Sequence, residues 1–570
     1  MIRLKEQYGK SSKWQRPVMA SLRRFVSRKS FFNLLLGISV LVLSAHLGLP
    51  PLWGSEGRWA VIARSMLRSG NLLSPTLGIH SYWAKPLLSY WQILPLAYVN
   101  ENVSEFTARF PSVVWAVVML FLTYHLAKRW FGEKTGLVSV GILATSYSFV
   151  FWGRNAQVEM TNAAMILLCL WYFLKHKSDN RHTWVYILGI IMALGANMKG
   201  LVLYGVPVFC IVLLSVIKRE WSWIPPLRTL VMASFLSLAV FLALPAIASI
   251  RSVTWEPLQR VWYENVLRFF GQVDHKDPFY TYFIKIFYLA APWSLVLPVA
   301  LIRCMQLTRR RVSQIPEVLI LFGAIFLFFT LSGSRRSYYL LPILPFVAML
   351  VANVLREFAT GTLGRGIQGA VRVVGLSLGL AIIVLFGVLL VFTLIFTGGT
   401  DTLLFNKIFA DRTNILVFTR MFAGRTYILW YASVLLALIG ATMIASTMKK
   451  YVWGMVGSVF AVWLIYVLGV IPLISEGPNL KTQVAKVNAL GRPCGLLNIE
   501  DAKIIFYLDK PCQVFYDKAH ALNWVTQADG VLITSSDLSD QYWECAVKGH
   551  HWQAVIPRKV PLLNDPSNSR

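Results

Sequence analysis

The feature that most constrains this chain is the recurrence of apolar runs of roughly bilayer length, separated by short basic tracts. The first, "FFNLLLGISVLVLSAHLGLP", covers residues 31–50, and about 20 such residues in helical form cross a hydrocarbon core. Others lie near residues 108–126, 136–152, 162–174, 184–198, 201–217, 229–250, 282–302, 316–332, 338–354, 373–396, 427–447 and 452–474. Together they predict a mainly α polytopic membrane protein with about 13 transmembrane helices. With 56% of residues hydrophobic and 14% charged, an ordinary soluble fold is excluded.

Charge sets the expected orientation. Residues 1–30 carry nine Lys or Arg against a single acid, Glu6. The run that follows exceeds the core of a signal peptide and has no small-residue cleavage site, so it reads as a first span behind a basic cytoplasmic segment. Every even-numbered connection is then cytoplasmic, and each is basic: Lys128, Arg129 and Lys134; Lys175, Lys177 and Arg181; Lys218, Arg219 and Arg228; Arg303 and 309–311; Arg356, Arg365 and Arg372; Lys449 and Lys450. The net charge of +29 is therefore a topological signal, with anionic membrane lipid as the expected partner and nucleic acid excluded.

An odd number of spans sends the tail outward, leaving 31–474 as the membrane domain and 475–570 as a periplasmic segment. In the tail, "CGLLNI", "CQVFYD" and "GVLITSS" read as short strands between helical stretches such as "DAKIIFYLDK", which predicts a small α/β domain. Cys169, Cys210 and Cys304 lie in or beside apolar runs and read as packing residues. Cys494, Cys512 and Cys545 lie in the tail, where Cys494 with Cys512 is one of the pairings an oxidising compartment allows.

Two outer connections, 51–107 and 251–281, are long. The first holds "GRWAVIARSMLRSG", with Trp59, Ile62, Ala63 and Met66 at helical spacing, and "YWAKPLLSYWQILPLAYV". Both predict amphipathic helices lying along the membrane. The sequence has no HExxH, CxxC, G-x-S-x-G or Walker A motif. What it has is charge on the outer face: Glu56, Arg58, Lys85, Arg154, Glu159, Lys199, Glu264, Arg268, His275, Lys276, Arg335 and Arg336.

Each of these has a chemical and a structural reading. Lys85, flanked by Tyr82, Trp83, Tyr90 and Trp91, is either a point charge for the phosphate of a lipid-linked substrate or a lysine snorkelling among interfacial aromatics. Lys199 sits between two apolar runs, where a charge needs a partner or a function. Arg335 and Arg336 precede Tyr338 and Tyr339, and arginine grips phosphate oxygens bidentately. Glu56, Glu159 and Glu264 stand at helix ends, as proton acceptors or as ion-pair partners of Arg58, Arg154 and Arg268 respectively.

The segments "GSEGRWAVIARSMLRSG", "SYWAKPLLSYW", "GRNAQVEMTNAA", "ANMKGLVLYGVP", "WYENVLRFFG", "KDPFYTYF", "APWSLVLP" and "SRRSYYLLPILP", taken in order, resemble the bacterial lipid A aminoarabinose transferase group. That group belongs to the GT-C membrane glycosyltransferases, with the protein O-mannosyltransferases. The resemblance implies an inverting transferase that moves a sugar from an undecaprenyl phosphate donor to an envelope acceptor such as lipid A on the periplasmic face of the bacterial inner membrane. It further implies Glu56 and Glu159 as catalytic acids, and substrate contacts from Arg58, Lys85, Lys199, Arg268, Arg335, Arg336, Tyr82 and Tyr338. A monomer is expected.

This chain departs from the family at Ser55, where relatives carry an aspartate, and at Ala84, where an acid is common. The cofactor is therefore left open between a divalent cation and none, and no metal ligands are assigned. A protein or another glycan is the alternative acceptor. A lipid-sugar flippase or a non-catalytic lipid binder is the alternative from another class, although a transporter predicts internal repeats and polar residues at mid-bilayer, and the charges here gather at one face.

Overall fold

The computed structural model describes residues 28–78, 80–264, 277–308, 316–333, 335–397, 426–476, 479–499, 501–508, 512–535, 543–549 and 551–557. Among these, six helices are long and apolar enough to cross a membrane: Glu105–Phe131, Leu227–Ser252, Ser337–Thr360, Arg365–Val391, Tyr431–Met448 and the helical run from Val452. Shorter apolar helices stand beside them at Lys29–Ser44, Trp184–Lys199, Val202–Lys218, Trp293–Gln306 and Glu317–Leu331. The Leu344–Thr360 part of the third long helix is almost entirely buried at the centre of the bundle, whereas Leu227–Ser252 and Arg365–Val391 leave most of their apolar surface outward. Lipid is the solvent that such a surface requires.

Two expected spans are broken. The 136–152 segment forms Glu133–Thr145 and Tyr147–Gly153, bent by 66° at Ser146. The freed backbone groups are met across the fold: Tyr147 N–H donates to the Ala291 carbonyl at 2.9 Å, and the Thr145 carbonyl accepts from Trp463 Nε1 at 2.9 Å. Such compensation is what irregular backbone at membrane depth needs. The 282–302 segment divides into Thr281–Leu289 and Leu297–Thr308, with Pro292 between them supplying no N–H to a continuous helix.

Between the first helix and Glu105 lie helix Glu56–Ser69, a two-stranded hairpin of β1 (Thr76–Leu77) and β2 (His80–Ser81), and two short helices, Leu88–Trp91 and Leu94–Val99. Trp59, Ile62, Ala63 and Met66 are buried among protein residues, including Tyr90, Ile93 and Phe506. The apolar stripe of this helix thus faces the chain's own core.

The C-terminal segment builds a five-stranded sheet from β3 (Cys494–Leu497), β4 (Gln513–Phe515), β5 (Val531–Thr534), β6 (Trp543–Lys548) and β7 (Gln553–Pro557), in the order β4-β3-β5-β7-β6. The β4-β3-β5 part is parallel and the rest antiparallel. Helices Leu480–Ala489, Ala502–Tyr507 and Lys518–Gln527 flank it. Asn479, Asp501 and Asp517 cap their N-termini through side-chain acceptors, the arrangement that satisfies orphan helix N–H groups.

Candidate active site

The 51–107 connection is organised around one buried ion pair. The Glu56 carboxylate, 1% exposed, accepts Arg109 Nε at 2.8 Å and Nη2 at 2.7 Å, together with the Ala156 and Trp53 backbone N–H groups at 2.7 Å each. Arg109, on Glu105–Phe131, directs its other hydrogens to the carbonyls of Leu47 and Pro50 at 2.8 Å and Pro51 at 2.9 Å. Each partner's hydrogen-bonding capacity is used, which is the condition for an ion pair to persist away from water. Arg58, the sequence-adjacent candidate partner, instead donates to the Tyr82 hydroxyl at 2.5 Å and lies 5.5 Å from that ring's centre.

A second cluster gathers several expected residues from distant elements. Glu159 opens helix Glu159–His176 and is 3% exposed. Its Oε1 is paired with Lys199, not Arg154, and its Oε2 is buried with no hydrogen-bond partner among the described residues. The Lys199 ammonium stands 5.6 Å from the centre of the Tyr338 ring, and Arg336 Nη1 donates to the Tyr338 hydroxyl at 3.0 Å. Trp152 packs edge-on against Tyr338, with ring centres 5.0 Å apart. Helix Glu159–His176, the end of Trp184–Lys199 and the 3₁₀ turn Ser337–Ile343 thus bring a carboxylate, two cations and a phenol together.

Asn162, one turn beyond Glu159 and on the same side of the helix, is also buried, and its Oδ1 has no partner among the described residues. A buried acceptor without a donor costs about 1–3 kcal/mol, and a ligand that brings hydroxyl or ammonium hydrogens removes that cost. Sequence reasoning passed over Asn162, although an amide in the otherwise apolar "TNAAMILLCL" was the available signal. It also passed over Arg109, a lone arginine inside an apolar run, which membrane burial obliges to find an acid.

Lys85 forms an ion pair with Glu264 Oε2 at 3.3 Å, and Arg268, the expected partner of Glu264, lies outside the described residues. The Lys85–Glu264 cleft is walled by Trp83, Asn197, Phe241, Pro257 and Arg260. Because Asn197 precedes Lys199 by two residues, one helix end borders both this cleft and the Glu159 cluster. Arg335 turns away: Nε and Nη2 reach the Thr330 carbonyl at 3.3 and 3.0 Å, and Nη1 reaches the Asp277 carbonyl at 2.6 Å. Arg154 likewise serves a helix end, donating to the Val42 and Ala45 carbonyls at 2.7 Å each.

No three His, Cys, Asp or Glu converge as a metal site among the described residues. Ser55 and Ala84 bring no carboxylate to this loop, and Glu56 is fully engaged by Arg109 and two backbone N–H groups. The donor set in this loop does not fit a divalent cation.

The C-terminal segment docks on the first loop. Arg64 donates to the Phe506 carbonyl at 2.6 Å and to the Val103 carbonyl at 3.1 Å, with its guanidinium 3.9 Å from the centre of the Phe506 ring. Leu52 N–H donates to the Tyr507 hydroxyl at 2.8 Å, and burial pushes that hydroxyl's pKa well up. Gly57 makes the approach possible, because a Cβ there would lie 2.7 Å from Lys503 N and 2.9 Å from the Ala502 carbonyl carbon. His80 Nε2 and the Tyr516 hydroxyl meet at 2.8 Å.

Residues 84–245 match the family model described as dolichyl-phosphate-mannose-protein mannosyltransferase. The fold aligns with crystal structures of ArnT from Cupriavidus metallidurans. The alignment with its undecaprenyl phosphate complex has TM-score 0.67 and 17% identity, and covers 93% of this chain and 98% of that one. The apo form gives TM-score 0.65 at 16% identity, with 92% and 98% covered. The fold is therefore the one seen in ArnT.

Among curated proteins, the chain is a relative of the undecaprenyl phosphate-α-4-amino-4-deoxy-L-arabinose arabinosyl transferases. It is 30% identical to that of Pseudomonas aeruginosa over 389 residues and 26% identical to enzyme 2 of Pseudomonas fluorescens over 371. Both alignments cover 63% of this chain and 65% of the relative, so the match spans slightly less than two thirds of either enzyme.

Proposed function

We propose that this protein is a polyprenyl-phosphate-dependent glycosyltransferase that moves a sugar, inverting its anomeric centre, from an undecaprenyl phosphate donor to an envelope acceptor such as lipid A. The observation that carries the reading is the Glu159 cluster: a buried carboxylate with one oxygen held by Lys199 and the other awaiting a donor, beside Tyr338 and Arg336. The relatives' printed activity and the fold support it.

In this mechanism Lys85, at the rim of the adjoining cleft, and Arg336 hold the donor phosphate, with Arg268 as a further cation from the fourth outer connection. An acceptor oxygen attacks the anomeric carbon while the bond from that carbon to the phosphate oxygen breaks. The departing lipid phosphate then carries negative charge that the cations stabilise. Glu159 orients the sugar or acceptor through Oε2 and takes a proton where the acceptor is a hydroxyl. A phosphate acceptor is already anionic at neutral pH and needs no base. Glu56, its lone pairs engaged by Arg109 and two amides, shapes the loop and leaves the chemistry to Glu159.

The proposed topology has about 13 spans with a cytoplasmic N-terminus, and places the 51–107 and 251–281 connections and the α/β segment from 475 in the periplasm. Reporter fusions after residues 181, 228 and 475 test it: the first two should report cytoplasm and the third periplasm.

The activity test is reconstitution with radiolabelled undecaprenyl-phosphate sugars and lipid A. Wild type is expected to transfer label, and Glu159→Gln, in protein shown to be folded and inserted, to lose about 10²–10⁴-fold in rate. Full transfer by folded Glu159→Gln removes the residue from the chemistry. Binding of the lipid donor without transfer to any acceptor identifies a lipid binder instead.

A further inference from the structure

We propose that Cys494 and Cys512 form a disulfide that staples the β3–β4 edge of the C-terminal sheet and so fixes the helix docked on the first outer loop. The two strands pair in parallel, with Gly495 opposite Gln513, Leu496 opposite Val514 and Leu497 opposite Phe515. One step back along that register sets Cys494 opposite Cys512. Register partners in neighbouring strands point to the same face, with backbones about 4.8 Å apart. Disulfides join Cα atoms separated by about 4.4–6.8 Å, so the bridge closes without moving either strand.

The side chains agree with the backbone. Cys494 is buried in the core that also holds Val484, Ile504 and Ile533, and Cys512 packs against that same core from its half-exposed side. The neighbouring Cys494 thiol lowers the pKa of the Cys512 thiol, and the Cys512 thiol together with burial raises that of Cys494. Cys512 is therefore both the more accessible and the more readily ionised of the pair. Cys545 lies on β6, at the opposite edge of the five-stranded sheet from β4.

The chemistry balances against an oxidised dithiol oxidoreductase, the class of oxidant that keeps an oxidising compartment supplied with disulfides. The Cys512 thiolate attacks one sulfur of the oxidant's disulfide, releasing the other as a thiolate and leaving a mixed disulfide. Cys494, deprotonated, then attacks Cys512 Sγ and expels the oxidant's second thiolate. Two electrons and two protons pass to the oxidant, which leaves as its dithiol.

The closed loop contains helix Ala502–Tyr507, whose Lys503, Phe506 and Tyr507 are the contacts to Gly57, Arg64 and Leu52. A bridge at its base restricts the unfolded excursions of that helix. The inference goes beyond the transfer reaction and rests only on the part of the reading that puts the tail in the periplasm.

The test is thiol counting on full-length protein. Membranes are acid-quenched, denatured and labelled with a maleimide polyethylene glycol, with and without prior reduction. Of six cysteines, wild type should show four labels before reduction and six after. Cys545→Ser should show three and five, and Cys494→Ser five in both. Non-reducing peptide mapping should recover the 494–512 cross-link.

Six labels before reduction, or a cross-link to Cys545, overturns the proposal. In the former case, treating the purified protein with oxidised glutathione separates two causes. Closure there points to a tail facing the reducing side, and failure there points to the strand geometry; the bridge is rejected in both. Cys494→Ser and Cys512→Ser should lower the melting temperature by similar amounts, and the double variant should add no further loss.

Discussion

At the scale of single residues, two glutamates that look alike in sequence have opposite surroundings. Glu56 has four donors and Glu159 has one oxygen without any among the described residues. Glu56→Gln leaves the Arg109 charge buried without its counter-ion, and is expected to cost about 3–5 kcal/mol of stability, read as a lower midpoint in thermal or denaturant unfolding. Pairing it with Arg109→Met should restore part of that loss, because the uncompensated charge is then gone. Lys85→Ala is expected to raise the KM for the lipid donor about tenfold or more, since a charge-assisted contact contributes ~1.5–3 kcal/mol, with little change in melting temperature; an unchanged KM removes Lys85 from the donor site. The outward charges were legible in the sequence because they interrupt apolar runs, but their partners were not. Glu56 and Arg109 are 53 positions apart, and Lys85 and Glu264 are 179 apart, so pairing by sequence neighbourhood chose Arg58 for Glu56 and did not reach Lys85 for Glu264. Only the folded helix ends bring Glu159, Lys199, Arg336 and Tyr338 to one place.

At the scale of elements, hydrophobic runs marked most helices closely: 184–198 is observed as Trp184–Lys199, and 229–250 as Leu227–Ser252. The broken segments were hidden because apolar composition is unchanged across them. What breaks them is a proline in one case and tertiary hydrogen bonds to Trp463 and Ala291 in the other. Helix Glu56–Ser69 was legible as amphipathic, yet the surface that receives it is partly the tail, several hundred residues away. Gly57→Val tests that contact, because its side chain enters space held by the Lys503 and Ala502 backbone. Undocking of helix Ala502–Tyr507 is expected, seen as faster proteolysis of the tail, whereas the same change at Gly70, with nothing within 4 Å but a left-handed backbone, should strain only the end of the helix.

At the scale of the whole molecule, membrane bundle and tail act as one body, joined through Arg64, Leu52, Gly57, His80 and a Lys481–Glu105 ion pair at 2.8 Å. A chain ending at residue 478 should insert normally yet lose most transfer activity, with the first loop becoming protease-sensitive; full activity in that truncated form would make the tail dispensable. The contacts from Arg64 and Leu52 reach across 442 and 455 positions of sequence. At synthesis rates of about 5–20 residues per second, roughly 20 to 90 seconds separate the emergence of the first loop from that of the helix that completes it. The face of the first loop is thus completed last, although its own residues are made first. In a ribosome-stalled or prematurely terminated chain, Arg64, Leu52 and Gly57 lack the helix that docks on them, so the 51–107 connection reaches its final packing only after residues 502–507 have been made.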